Sequence, residues 1–175
     1  MKHIFVVLLL GGVLGVPGLA QKVARPAPDF IPGGEWLNSE PLNIEDLRGK
    51  VVLINVWVYS CYNCYRSLPT LQGWYERFKG QGFEIIGVHT PEFESDKPLK
   101  NVQEALLREG VTWPVVQDNA AATWRAYDNS VWPTFYLIDR QGIVRRVQRG
   151  EISSVFPQGI KPLENGIKDL LAESR

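Results

Sequence analysis

The chain has 175 residues, of which 45% are hydrophobic and 22% are charged, and its 19 basic residues balance 19 acidic ones. The length fits a single domain, and the composition is that of a globular rather than a disordered protein. Because no net charge is left over, the composition gives no indication of nucleic acid or an anionic membrane as a partner.

The first 20 residues have the pattern of a secretory signal peptide. Lys2 and His3 precede an apolar segment, residues 4–16, and small residues lead to Ala20, after which we expect cleavage. The apolar segment is shorter than the roughly 20 residues of a membrane-spanning helix. An uncleaved anchor through residues 4–16 remains an alternative. We therefore expect an exported, periplasmic or extracytoplasmic protein whose domain covers residues 21–175.

The elements that follow the signal alternate between strands and helices. Residues 21–34 are rich in Pro and Gly and predict an irregular lead-in, and Trp36-Leu37 with Pro41-Leu42 predicts a short hairpin. The apolar and β-branched run Val51–Val58 then predicts a central strand buried on both faces. Later strands are expected at 83–89, 111–116, 134–139 and 143–148.

Four helices are expected between or after these strands. The first follows the cysteine segment and extends to Phe78, with a kink at Pro69, and the others cover 96–108, 119–127 and 162–172. Asn119 is expected to cap the third helix. The last two strands are joined by residues 140–142 and predict an antiparallel hairpin. This order predicts an α/β fold with a mixed central sheet flanked by helices.

The two cysteines of the chain, Cys61 and Cys64, form a C-x-x-C motif between a buried strand and a helix. At a helix N-terminus, backbone N–H groups and the macrodipole stabilise a thiolate. We expect Cys61 to be the exposed nucleophile and Cys64 to be the resolving thiol of a two-step disulfide exchange.

Other uses of the pair fit the sequence less well. A disulfide over so short a loop contributes little chain entropy as a staple. A c-type haem site needs His after the second Cys, and here Tyr65 follows. A structural zinc site needs four ligands, and His89 is the one His of residues 21–175, so no metal is expected.

Four segments in this order resemble the thioredoxin superfamily. They are residues 57–64, 87–94, 122–127 and 132–139, with Trp132-Pro133-Thr134 downstream of the C-x-x-C. Within the superfamily the chain is similar to exported thiol–disulfide oxidoreductases of the TlpA, ResA and DsbE type, and above all to the thioredoxin-like domain of DipZ proteins. The resemblance implies a thioredoxin fold with an extra helix and strand inserted over about 96–116.

The resemblance also implies roles for several residues. Pro133 matches the cis-proline that faces the cysteines, and Trp132 beside it is expected to contact substrate. Asn55 replaces the buried Asp of ordinary thioredoxins, so proton transfer is assigned to Glu92, held in a partly apolar cleft, with Glu94 as the alternative. Further substrate contacts are expected from Tyr62, Asn63 and Trp57. His89 is expected to pack rather than to catalyse.

The function expected from these features is reduction of disulfides in specific proteins, for example in cytochrome c maturation. The resemblance implies a separate membrane electron donor of the CcdA/DsbD type and no bound cofactor. A peroxiredoxin-type peroxidase is an alternative, although Val58 stands where that family has Thr. A non-enzymatic binding module, with Trp57, Trp74, Trp124 and Trp132 as an apolar docking surface, is another.

Overall fold

The computed structural model describes residues 21–173, which contain a seven-stranded mixed sheet. The strands are β1 (Gln21–Pro26), β2 (Trp36–Leu37), β3 (Val51–Trp57), β4 (Phe83–His89), β5 (Val115–Gln117), β6 (Thr134–Ile138) and β7 (Ile143–Arg149). The helices are α1 (Tyr62–Phe78), α2 (Leu99–Arg108), α3 (Ala122–Ala126) and α4 (Ile160–Ala172). The expected signal peptide and anchor lie outside the described residues. Within 21–173, no helix has the length and apolarity to cross a membrane.

Strand β3 occupies the middle of the sheet, whose order is β1-β7-β6-β3-β4-β5-β2. It pairs in parallel with β4 and antiparallel with β6. Its side chains alternate between two hydrophobic clusters, with Val51, Leu53 and Trp57 in one and Val52, Ile54 and Val56 in the other. Because both faces are covered, all seven residues are buried, which accounts for the nearly continuous apolar run in the sequence.

Different elements cover the two faces of the sheet. One cluster takes its helical side chains from α1, α2 and α4, including Leu71, Val102 and Ile167. The other cluster includes Phe30, Ile44 and Leu47 from the segment before β3, and Tyr127 just after α3. Helices thus dominate one face, whereas irregular chain supplies much of the cover on the other.

The structure corrects the expectations for the first strands. Residues 21–26 form β1 and pair antiparallel with β7, in place of an irregular lead-in. Strand β2 pairs antiparallel with β5 and not with Pro41-Leu42. Both partners lie far along the chain, so neighbouring residues carry no signal for these pairings.

Helix α1 is a single helix of 17 residues that contains Pro69, and the kink expected there stays a prediction. The start of helix α3 differs from the sequence-based expectation. Helix α3 begins at Ala122, and the Asp118 carboxylate accepts hydrogen bonds from the backbone N–H groups of Thr123 (3.1 Å) and Trp124 (2.8 Å). The N-cap residue is Ala121, and the acceptor expected from Asn119 is supplied instead by the Asp118 carboxylate. The predicted hairpin is confirmed as β6 and β7.

Candidate active site

The two cysteines lie where the central strand leads into helix α1. Cys61 is the N-cap residue, with an extended backbone (φ −83°, ψ 114°). Its Sγ accepts a hydrogen bond of 3.3 Å from the backbone N–H of Cys64. Sulfur thus occupies the place in which a Ser or Asp oxygen usually caps a helix. Negative charge on this sulfur is favoured by the helix dipole.

The two thiols have opposite acidities. A hydrogen bond from the Cys64 side chain, helped by the backbone N–H groups of Cys64 and Asn63, outweighs burial and lowers the pKa of Cys61 from 9.0 to about 7. Burial, followed by the hydrogen bond and charge of Cys61, raises the pKa of Cys64 well above 9.0. Cys61 is half-buried and Cys64 is only 2% exposed, and both are free thiols. One accessible thiolate beside one buried thiol is the arrangement that stepwise disulfide exchange requires.

Glu92 lies in the loop after β4, and its placement differs from the expectation. It is exposed and is not held in an apolar cleft. Its negative charge nevertheless raises, after larger effects, the pKa of Cys61 and of Cys64. The alternative acid, Glu94, is exposed and forms an ion pair with Lys97.

Trp132 and Pro133 precede strand β6. The peptide bond between them is cis. Pro133 is buried, whereas Trp132 is half-buried and its indole N–H donates a 3.1 Å hydrogen bond to the carbonyl of Thr90. The Trp132 ring also packs on Trp124, with 4.2 Å between ring centroids. These contacts fix the Trp132 ring between α3 and the loop that leads to Glu92.

Tyr62 and Asn63, between the cysteines, are both exposed, and Tyr62 is 68% exposed. The Arg66 guanidinium lies 5.5 Å from the Tyr62 ring centroid and 5.9 Å from that of Phe156. Arg66 also forms a 2.8 Å ion pair with the buried carboxylate of Glu151. Sequence reasoning missed Arg66, although its spacing of four residues from Tyr62 on one helix was an available signal.

Trp57 does not lie at the site surface, so the expectation that it contacts substrate is wrong. It is 2% exposed and belongs to the core. Its indole packs close to Gly87 of β4, where an added Cβ would lie 3.1 Å from Trp57 Nε1. Trp74 is likewise buried, which removes half of the expected tryptophan docking surface.

His89 packs in the interior, as expected, but its polar atoms are not satisfied. Its ring stacks on Tyr59 at 5.5 Å and meets Trp57 edge-on, and neither ring nitrogen has a hydrogen-bond partner among residues 21–173. Burial lowers the pKa of His89 to about 4. In the same part of the chain, no three His, Cys, Asp or Glu side chains are grouped so as to hold a metal ion.

Comparison with known proteins finds a matching family model and several similar proteins. The model of the AhpC/TSA family matches residues 23–147. Protein DipZ of Mycobacterium tuberculosis is 45% identical over 128 residues, which are 71% of this chain and 18% of DipZ. The thiol-disulfide oxidoreductase ResA of Geobacillus thermodenitrificans is 33% identical over 77% of this chain and 73% of ResA. The chain thus spans less than a fifth of DipZ but most of ResA.

Solved structures share the fold over most of the chain. A thioredoxin-like protein solved in its oxidised form superposes with a TM-score of 0.74 at 28% identity, covering 87% of this chain and 98% of that one. A thiol-disulfide isomerase from Corynebacterium glutamicum gives 0.71 at 27% identity, covering 85% and 98%. The expected thioredoxin fold is confirmed. The chain therefore belongs to the AhpC/TSA family, and its described part is a TlpA/ResA-like thiol–disulfide oxidoreductase domain of the thioredoxin superfamily.

Proposed function

We propose that this protein reduces disulfides of specific exported proteins through its Cys61–Cys64 dithiol. The observation that carries the proposal is the split acidity of the pair: the Cys61 pKa is lowered to about 7, chiefly by the Cys64 thiol, and the Cys64 pKa is raised, chiefly by burial. At neutral pH about half of Cys61 is thiolate, while Cys64 keeps its proton until exchange begins.

The reaction proceeds in two exchanges. The Cys61 thiolate attacks one sulfur of the substrate disulfide, whose S–S bond breaks and releases a substrate thiolate, while a Cys61–substrate bond forms. Cys64 then loses its proton and attacks Cys61 Sγ, which releases the second substrate thiolate and leaves a Cys61–Cys64 disulfide. Two electrons pass to the substrate. Glu92, whose charge reaches both thiols, accepts the Cys64 proton.

Substrate docks on the exposed residues around Cys61. Tyr62 and Asn63 directly follow Cys61 and are exposed. Trp132, followed by Pro133, precedes β6 and is held by its hydrogen bond to Thr90. The Arg66 guanidinium packs on the Tyr62 ring, 5.5 Å from its centroid. This rim favours a polypeptide segment with apolar or aromatic side chains next to its cysteine.

The sequence and the relatives support a location outside the cytoplasm for this activity. Residues 1–20 direct export, with residues 4–16 as an anchor where cleavage does not occur. The likeness to DipZ and ResA supports an extracytoplasmic site of action. There a membrane donor of the CcdA/DsbD type returns the Cys61–Cys64 disulfide to the dithiol, and substrates include proteins of cytochrome c maturation.

The test is reduction of a protein disulfide by the purified protein, with mixed-disulfide trapping. Cys61→Ser abolishes reduction, whereas Cys64→Ser attacks but cannot resolve, so it accumulates a covalent adduct that a reductant releases. Reduction that persists in Cys61→Ser contradicts the proposal. Fast peroxide consumption, with little activity on protein disulfides, would instead support the peroxidase alternative suggested by the family match.

A further inference from the structure

Asp96 is a buried carboxylate that lies between the two segments of the site. It ends a short 3-10 helix, Glu94–Asp96, and is 2% exposed. Its Oδ2 accepts hydrogen bonds from the backbone N–H groups of Glu92 (3.2 Å) and Phe93 (2.9 Å), and from the hydroxyl of Ser60 (3.1 Å). One oxygen atom thus binds the loop that carries Glu92 and the residue that precedes Cys61.

A second link joins the same two segments. The Tyr59 hydroxyl donates a 2.8 Å hydrogen bond to the carbonyl of Ser95. The Asn101 side chain, from α2, also donates to that carbonyl at 3.0 Å. Residues 59 and 60, which immediately precede Cys61, are therefore both hydrogen-bonded to residues 95 and 96.

We propose that Asp96 is a positioning residue, whose carboxylate holds the Glu92 loop against the Ser60–Cys61 segment and so fixes the distance between the Glu92 charge and the two thiols. Glu92 is exposed, and the Asp96 carboxylate is the group that ties the backbone of Glu92 and Phe93 to Ser60. Asp96 itself touches neither thiol in the contacts described above, so it acts through Glu92 and Ser60.

The chemistry of the link suits a buried carboxylate. An ionised carboxylate accepts hydrogen bonds only, and those it receives are stronger than bonds between neutral groups. Three donors on one oxygen offset the loss of hydration on burial. The charge of Asp96 also raises the pKa of the buried His89, although burial has the larger, opposite effect.

This inference rests on the proposed roles of Cys61 and Glu92, and it is tested through the coupling between them. With Asp96 in place, Glu92→Gln removes a negative charge and lowers the Cys61 pKa by roughly 0.3–0.5 unit, a two- to threefold rise in the ratio of thiolate to thiol. In the Asp96→Ala background the same substitution shifts the Cys61 pKa by less than half as much. The measurement is the pH dependence of Cys61 alkylation by iodoacetamide in the full chain.

Two milder variants keep the test independent of folding. Asp96→Asn retains an oxygen that accepts the same three bonds and restores most of the coupling. Ser60→Ala removes only the hydrogen bond from Ser60 to Asp96 and weakens the coupling. The matched control is Asp139→Ala, because Asp139 is also a buried carboxylate that accepts backbone N–H bonds, from Gln141 and Ile143, in the β6–β7 turn.

The outcomes separate this inference from the proposed function. Coupling that survives undiminished in both Asp96→Ala and Ser60→Ala overturns the positioning role, even where Asp96→Ala lowers stability. Loss of coupling in Asp139→Ala as well also overturns it, because the effect would then be one of general stability. If Glu92→Gln leaves the Cys61 pKa unchanged in the parent chain, the roles of both Glu92 and Asp96 are refuted, while disulfide exchange by the cysteines stands.

Discussion

Replacing Cys64 with Ala tests the origin of the acidity of Cys61. The hydrogen bond from the Cys64 side chain is the largest cause of the lowered Cys61 pKa, ahead of the backbone N–H groups of Cys64 and Asn63. The Ala variant removes the side-chain donor and keeps both N–H groups and the N-cap position. The Cys61 pKa should therefore rise, but not all the way to its ordinary value.

The size of the rise follows from the strength of the lost bond. A hydrogen bond to a charged group contributes about 1.5–3 kcal/mol, which corresponds to about 1–2 pKa units. A thiol is a weak donor, so we expect the lower end, a rise of about one unit from about 7. At pH 7 the thiolate fraction of Cys61 then falls from about one half to about one tenth, and alkylation slows about fivefold.

The assay is the rate of Cys61 alkylation from pH 5 to 10, read with the ultraviolet absorbance of the thiolate. Cys64→Ser is the matched control, because its hydroxyl still donates and should keep the Cys61 pKa near or below that of the parent. A Cys64→Ala variant whose Cys61 still titrates at about 7 would show that the helix N-terminus, and not the second thiol, sets the acidity.

Three further predictions concern the surroundings of the cysteines. His89 is fully buried, and burial lowers its pKa to about 4. The contribution of neutral His89 to the free energy of unfolding is therefore fully present above pH 6.5, and up to about 3 kcal/mol is lost as the pH falls towards 4. His89→Phe should lessen this loss, measured by urea unfolding at pH 7 and pH 4. Asp118→Ala leaves the hydroxyl of Thr90 and the backbone N–H groups of Thr123 and Trp124 without their acceptor. The variant should lower the free energy of unfolding by about 2–3 kcal/mol, and Asp118→Asn should lower it by less. Trp132→Phe removes the hydrogen bond to the Thr90 carbonyl. We expect kcat/KM for reduction of a protein disulfide to fall several-fold, while the Cys61 pKa stays near that of the parent. Unchanged kinetics would refute substrate contact at Trp132.

Some of the site could be predicted from the sequence because it is built from neighbouring residues. The run Val51–Val58 indicates a buried strand, the C-x-x-C follows it directly, and a helix begins within the motif. Those three facts place Cys61 at a helix N-terminus whatever the rest of the fold does. The lowered pKa of Cys61 is largely a local property for the same reason, since the groups that lower it belong to Cys64 and Asn63.

Other features depended on residues that are distant in the chain. The resemblance implied that Trp57 contacts substrate, yet the absence of a side chain at Gly87 on the adjacent strand allows its indole to pack inside. Glu92 was expected in a cleft, and the structure leaves it exposed on a loop fastened by Asp96. The sequence pattern of Asp96 gives no hint that it accepts a bond from Ser60, 36 residues earlier.

The amino-acid sequence by itself determined most of the helices and strands, the fold class and the reactive pair, because helical and strand periodicity act over a few residues. Only the tertiary structure decided which strands pair at the edges, which tryptophans are buried and how the Glu92 loop is held. Those outcomes depend on contacts between segments that are distant in the chain, and such contacts produce no periodic pattern in the sequence. They contribute to stability only once the sheet has brought the segments together.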